Sequence, residues 1–216
     1  CDDMNQTNKV RSYCVRFEGE LFDLNYLSKT TFKDLPKGNL RKYVTRLVEE
    51  GILNQISKGL FVIGKPKTPI AKLITHHYLF SFGMVPCGIP CGEYLLYEEK
   101  IIDAEPQVKL ILSNQTFSNR NIDNIKIFYC DNSFVAESGT LMKVLELLNS
   151  EVLINEEDKP LWILKINEYL TSYNDSWMEN HNIFYPRKVY LRLANFLNLM
   201  HISNRVMEIY EIKTKI

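Results

Sequence analysis

No apolar run in this 216-residue chain is long enough to cross a bilayer, although 45% of its residues are hydrophobic. A soluble protein is expected, with enough apolar material for one substantial core or two modest ones. An excess of charge of either sign is also missing, because Lys and Arg number 26 and so do Asp and Glu. The chain is not coated for nucleic acid, and any affinity for phosphate has to come from a local patch. Internal repeats and low-complexity tracts are absent. The five cysteines, Cys1, Cys14, Cys87, Cys91 and Cys130, are odd in number and lack the spacing of a disulfide framework. They point to reduced, mostly buried thiols in a cytoplasmic protein. Cys1 at the start reads as a trimmed or incomplete N terminus rather than a lipidated end.

Signatures of catalysis are equally scarce. Walker, Rossmann and nucleophile-elbow patterns do not occur, and Glu137-Ser138-Gly139-Thr140 has one glycine and no lysine partner. Glu157-Asp158-Lys159 matches a metal-dependent nuclease only in its letters, since it falls in a turn. His76-His77 with Cys87-x-x-x-Cys91 could supply four zinc ligands in number. Adjacent histidines point in different directions on a helix, however, and the cysteines sit in a Gly-Pro-rich turn, so these residues read as packing. A cysteine nucleophile based on Cys87 and either histidine would need a contact that sequence cannot supply. The chain is read as non-catalytic, with no cofactor and no metal.

What the sequence does contain is a concentrated signal between Asn39 and Ile63. Leu40, Val44, Leu47 and Val48 fall at i, i+4, i+7 and i+8, one apolar stripe at helical period. The opposite face carries Lys42, Thr45 and Glu49, with Asn39 and Arg46 on one flank and Arg41 on the other. Gly51 follows the last turn, where a left-handed residue ends a helix. Ile52 to Ile56 and Leu60 to Ile63 are strand-like, and Ser57-Lys58-Gly59 between them predicts a three-residue hairpin loop tipped by Lys58. Upstream, Leu21 to Leu27 predicts a short strand leading into a small helix, and Lys33 to Gly38 a turn. Together these elements amount to a winged helix-turn-helix, a unit that presents a helix to a DNA groove. The local charge agrees: Lys29, Lys33, Lys37, Arg41, Lys42, Arg46, Lys58, Lys65 and Lys67 stand against Asp34, Glu49 and Glu50, a patch suited to phosphate neutralisation.

The run from Leu40 to Leu53, closed by Lys58-Gly59-Leu60-Phe61-Val62, resembles the helix-wing segment of the AbiEi-type antitoxin and transcriptional-regulator family. The likeness continues through Gly83-Met84-Val85-Pro86-Cys87-Gly88, the apolar stretch Glu93 to Tyr97, and the strands Val108 to Leu112 and Ile125 to Tyr129. It covers Leu21 to Ser150. Two departures stand out: Cys87 and Cys91 occupy positions where small residues are expected, and the chain after Ser150 has no counterpart. The resemblance implies a cytoplasmic repressor of its own operon, binding double-stranded promoter DNA, and the antitoxin of a type IV pair whose toxin is nucleotidyltransferase-like. Such pairs need not bind each other. Carried over by position, Lys42, Thr45 and Arg46 would contact the groove and Lys58 a phosphate. Asn39 and Arg41 complete the candidate set from the helix face itself.

Lys65-Pro66-Lys67-Thr68-Pro69 is the best linker candidate. Beyond it, Ile70 to Phe80 is helical by spacing, with Ile70, Leu73, Ile74 and His77 on one face. Gly88 to Tyr97 is predicted as a helix, Val108 to Leu112 and Ile125 to Cys130 as strands, and Leu141 to Leu148 as a helix. Three helical stretches follow, from Trp162 to Tyr173, Asp175 to Asn182 and Pro186 to Leu199, with a tail from Arg205 to Lys215. The expected class is α+β: a winged helix-turn-helix over 1–64, a small α+β domain over 65–150 and a helical extension over 151–216. The aromatic side chains of that extension read first as core. The competing reading is a protein-interaction module that docks a partner through those aromatic helices and does not bind DNA.

Overall fold

In the computed structural model, which describes residues 2–215, the chain is α+β and divides into two compact units. The first holds residues up to His77 together with Gln115–Phe117, and the second holds the rest.

The first unit runs α1 (Asp2–Arg16), β1 (Leu21–Asp23), α2 (Leu24–Lys29), α3 (Lys37–Glu49), β2 (Leu53–Ser57) and β3 (Leu60–Ile63). The long helix α1 lies in a stretch that the sequence left unassigned. Its Val10 and Cys14 join Phe22, Leu27, Phe32, Leu40, Tyr43, Leu47, Leu53 and Phe61 in one buried cluster. The three strands form an antiparallel sheet in the order β1-β3-β2. Every residue of β3 is buried, as expected of a short central strand covered by helices. Asp23 caps α2 by accepting the Tyr26 N–H at 3.3 Å.

The chain passes into the second unit along α4 (Ile70–Leu79). Leu73, Ile74 and Tyr78 are the buried residues of that helix, so Tyr78 takes the place expected for His77 on its inner face. A two-residue ribbon, β4 (Phe80–Ser81) with β5 (Val85–Pro86), precedes a four-stranded sheet. That sheet contains β6 (Gly88–Cys91), β7 (Lys109–Ser113), β8 (Arg120–Ile122) and β9 (Ile125–Tyr129), in the order β6-β7-β9-β8. Only β7 and β9 are parallel.

Gly88–Cys91 is therefore a strand, and the helix expected to start at Gly88 begins at Glu93 as α5 (Glu93–Glu98). The reason lies in the packing. A Cβ on Gly88 would lie 2.3 Å from the Tyr78 carbonyl oxygen and 2.4 Å from that of Leu112. Pro90 is tolerated because β6 is an edge strand, where a missing N–H costs no ladder bond on the open side.

Helix α6 (Ala136–Asn149) is the centre of this unit, buried over Leu141, Met142 and Val144 to Leu148. Around it pack the sheet and the helices α7 (Lys159–Leu170), α8 (Ser176–Glu179), α9 (Arg187–Leu199) and α10 (Val206–Thr214). The aromatic residues of the last third contribute to that core: Trp162, Tyr173, Trp177, Tyr185 and Tyr190 are all buried. The Trp162 indole donates to the Leu147 carbonyl at 2.8 Å, tying α7 to α6. Glu146 is a buried carboxylate on α6, kept in place by the Gly92 N–H at 3.0 Å and the Tyr185 hydroxyl at 2.6 Å.

Candidate nucleic-acid interface

Helix α3 starts at Lys37 directly after Pro36, whose fixed φ starts the helix without a capping side chain. Its end is a paired hydrogen-bond motif: the Gly51 N–H reaches the Val48 carbonyl at 3.0 Å and the Ile52 N–H reaches the Leu47 carbonyl at 2.9 Å. Gly51 has φ +75°, which the motif demands and which only glycine adopts without penalty.

The buried face of α3 is Leu40, Tyr43, Val44 and Leu47. Tyr43 therefore belongs to the stripe, and Val48, assigned to it from spacing, is 36% exposed. The residue replaces the valine because its ring is buried while its hydroxyl reaches polar groups of α1. That hydroxyl donates to the Asp3 carboxylate and lies 3.2 Å from the Gln6 side-chain oxygen.

Arg41, Lys42, Thr45 and Arg46 are all exposed on the other side of the helix, and Asn39 is half-buried in its first turn. Thr45 donates back to the Arg41 carbonyl at 3.0 Å, leaving its oxygen able to accept. Among the described residues, Arg41, Lys42 and Arg46 form no ion pair.

The acidic neighbours are handled differently. Glu50 is engaged by Arg11 of α1 through two hydrogen bonds of 2.7 and 3.0 Å, and this fork holds its carboxyl below the usual carboxylate range. Arg11 was not a candidate from sequence, because α1 itself was not foreseen. With Glu50 compensated, Glu49 is the carboxylate that remains on the exposed side of α3.

The hairpin that follows is tighter than expected. Ser57 pairs with Leu60, so the loop has two residues, Lys58 and Gly59, and the register shift falls between Gln55 and Ser57. Gly59 takes φ +70°, and its carbonyl accepts the Leu24 N–H at 2.9 Å, pinning the tip to the start of α2. Lys58 is exposed on that tip. The rest of the basic set is also on the surface. Lys67 pairs with Glu20 at 3.4 Å, and Lys29 lies 5.2 Å from the ring centroid of Phe117, which stacks on Tyr26.

The thiols considered as zinc ligands have other surroundings. Cys87 donates to the Tyr78 carbonyl at 3.4 Å, and burial pushes its thiol up to about 12. Cys91, also buried, is pushed well up by the same cause, with Glu146 adding to it. No group of three or more His, Cys, Asp and Glu placed to hold a metal ion occurs among the described residues. No helix among them is long and apolar enough to cross a membrane. No protein-family model and no curated protein matches the sequence.

Proposed function

We propose that the first unit is a winged helix-turn-helix that reads double-stranded DNA with α3 in the major groove, steadied by Lys58 of the β2–β3 hairpin on the backbone. The observation that carries this reading is the composition of the α3 surface: Arg41, Lys42, Thr45 and Arg46 are exposed together, while Arg11 neutralises the adjacent Glu50. Element order and sheet order are compatible with it: a helix, a strand, two helices and a hairpin, with strands in the order β1-β3-β2, are the parts such a unit requires.

In the whole chain, this unit serves a transcriptional repressor that binds its own promoter and acts as the antitoxin of an AbiE-like type IV pair. Support for that role is the likeness of the segments from Leu40 to Val62 and from Gly83 to Tyr129 to the AbiEi-type family. Fold alone would not distinguish it from other winged-helix regulators.

The test is a mobility-shift titration on the promoter of the gene itself with the full chain. Lys42→Ala and Arg46→Ala are each expected to weaken binding by roughly five- to tenfold, the scale of one lost base or phosphate contact. Glu156→Ala, on the exposed turn before α7, leaves affinity unchanged. Equal affinity of wild type and both α3 variants would rule the reading out.

A further inference from the structure

The second unit contains a cavity of about 460 Å³ beside the edge strand β6, between α5 and the first turns of α6. This volume and its lining, largely apolar with a few converging polar groups, are those of a small-molecule site. One stripe of α6 forms a wall of it: Ala136, Gly139, Thr140 and Lys143, at i, i+3, i+4 and i+7. The first three are small, and space opens over them. Gly139 has a structural cause as well, because a Cβ there would lie 2.2 Å from the Phe134 carbonyl oxygen.

The charges around the cavity do not cancel. Glu99 accepts the Tyr169 hydroxyl on both oxygens, at 2.8 and 2.7 Å, and pairs with Lys143 at 3.7 Å. The Lys143 ammonium also sits 5.8 Å from the centroid of the Tyr169 ring. Lys109, which does not line the cavity, lies 5.5 Å from the centroid of Tyr94 and pairs with Glu105 at 3.5 Å. Each of these cations has its own carboxylate. Glu98, exposed where it lines the cavity, has no ion pair among the described residues. An occupant therefore meets an apolar, aromatic interior with one uncompensated negative charge. An anion would be repelled there and a neutral apolar molecule gains only the apolar contact, while a cation gains that contact, the aromatic faces and Coulomb attraction to Glu98 at the rim.

We propose that this cavity binds a small lipophilic cation, its charge near Glu98 and its apolar body against Tyr94, Leu95 and Phe134. The site belongs to the second unit, and the proposal stands whether or not the first unit binds DNA.

Two probes of the same shape and opposite charge test it: tetraphenylphosphonium and tetraphenylborate, titrated calorimetrically into the full-length chain. The phosphonium is expected to bind at least about tenfold tighter than the borate. Glu98→Gln, a surface substitution that leaves the core untouched, is expected to weaken the phosphonium by roughly fivefold and the borate not at all. Thr140→Trp, which fills the cavity from α6, is expected to abolish binding of the phosphonium, with folding checked by circular dichroism. Glu157→Gln, on a distant exposed turn, has no effect. Stronger borate binding, no phosphonium binding, or phosphonium binding indifferent to both Glu98→Gln and Thr140→Trp would overturn the proposal.

Discussion

Two residues whose roles depend on distant partners set the chemistry of the first unit's surface and the acid sensitivity of the second unit. Arg11 lies 39 positions from Glu50, yet its fork removes a negative charge from the end of α3. On the proposed function, Arg11→Ala is expected to weaken DNA binding by roughly two- to fivefold, although Arg11 need not touch DNA, because Glu50 would then repel phosphate. The Arg11→Ala/Glu50→Ala pair should recover most of the loss, and a double-mutant cycle of binding affinities measures the coupling. His181 is buried, and its Nε2 lies 2.7 Å from the Tyr190 hydroxyl. That hydroxyl already accepts the Phe184 and Tyr185 N–H groups, so it donates to an unprotonated Nε2. Burial, with Lys213 nearby, lowers the imidazole to about 4. Its folded value is depressed below the unfolded one, so the unfolded state takes up the proton first as pH falls. The stabilising effect of a neutral His181 is complete above about pH 6.5 and is lost as pH falls towards 4. Urea unfolding at pH 7 and pH 5 should show wild type losing about 2 kcal/mol more than His181→Gln over that interval. Equal losses would show that His181 is not held neutral.

Among the elements, α3 and its hairpin were legible because their causes are local. The apolar period, the glycine at the helix end and the glycine in the hairpin all lie within 25 residues of one another. The exchange of Val48 for Tyr43 shows the limit, since the outcome depended on Asp3 and Gln6 of a helix remote in sequence. The strand at Gly88–Cys91 was missed for a similar reason: its identity is set by the carbonyls of Tyr78 and Leu112 pressing on Gly88. Parallel pairing of β7 with β9 leaves no mark in either strand's own pattern. At Gly51 the local rule permits a clean measurement. A Cβ there meets no atom within 4 Å, so Gly51→Ala reports only the cost of φ +75°. It is expected to destabilise by about 1 kcal/mol in chemical denaturation. Gly139→Ala has a different cause, because the new methyl would collide with the Phe134 carbonyl. The loss there should exceed that at Gly51, and reversal of this order would contradict the packing described for α6.

At the scale of the whole molecule, zero net charge would leave any DNA affinity to a local surface, and the candidate residues fall mainly on one exposed side of α3. That surface was legible in the sequence; the device that compensates Glu50 was not, and neither was the cavity beside β6, whose walls come from elements far apart in the chain. Burial of Trp162, Tyr173, Trp177, Tyr185 and Tyr190 follows from their place around α6, while Phe184 stays 42% exposed. The most direct test of the proposed DNA-reading surface is the salt dependence of affinity for the promoter duplex, measured for wild type and for Lys42→Ala/Arg46→Ala. If both side chains neutralise phosphates, the slope of log K against log salt should fall by about 2 in the double variant, with affinity lost most at low salt. If they read bases instead, the slope should stay while discrimination between promoter and random duplex collapses. An unchanged slope together with unchanged discrimination would contradict the assignment of α3 as the element that reads DNA.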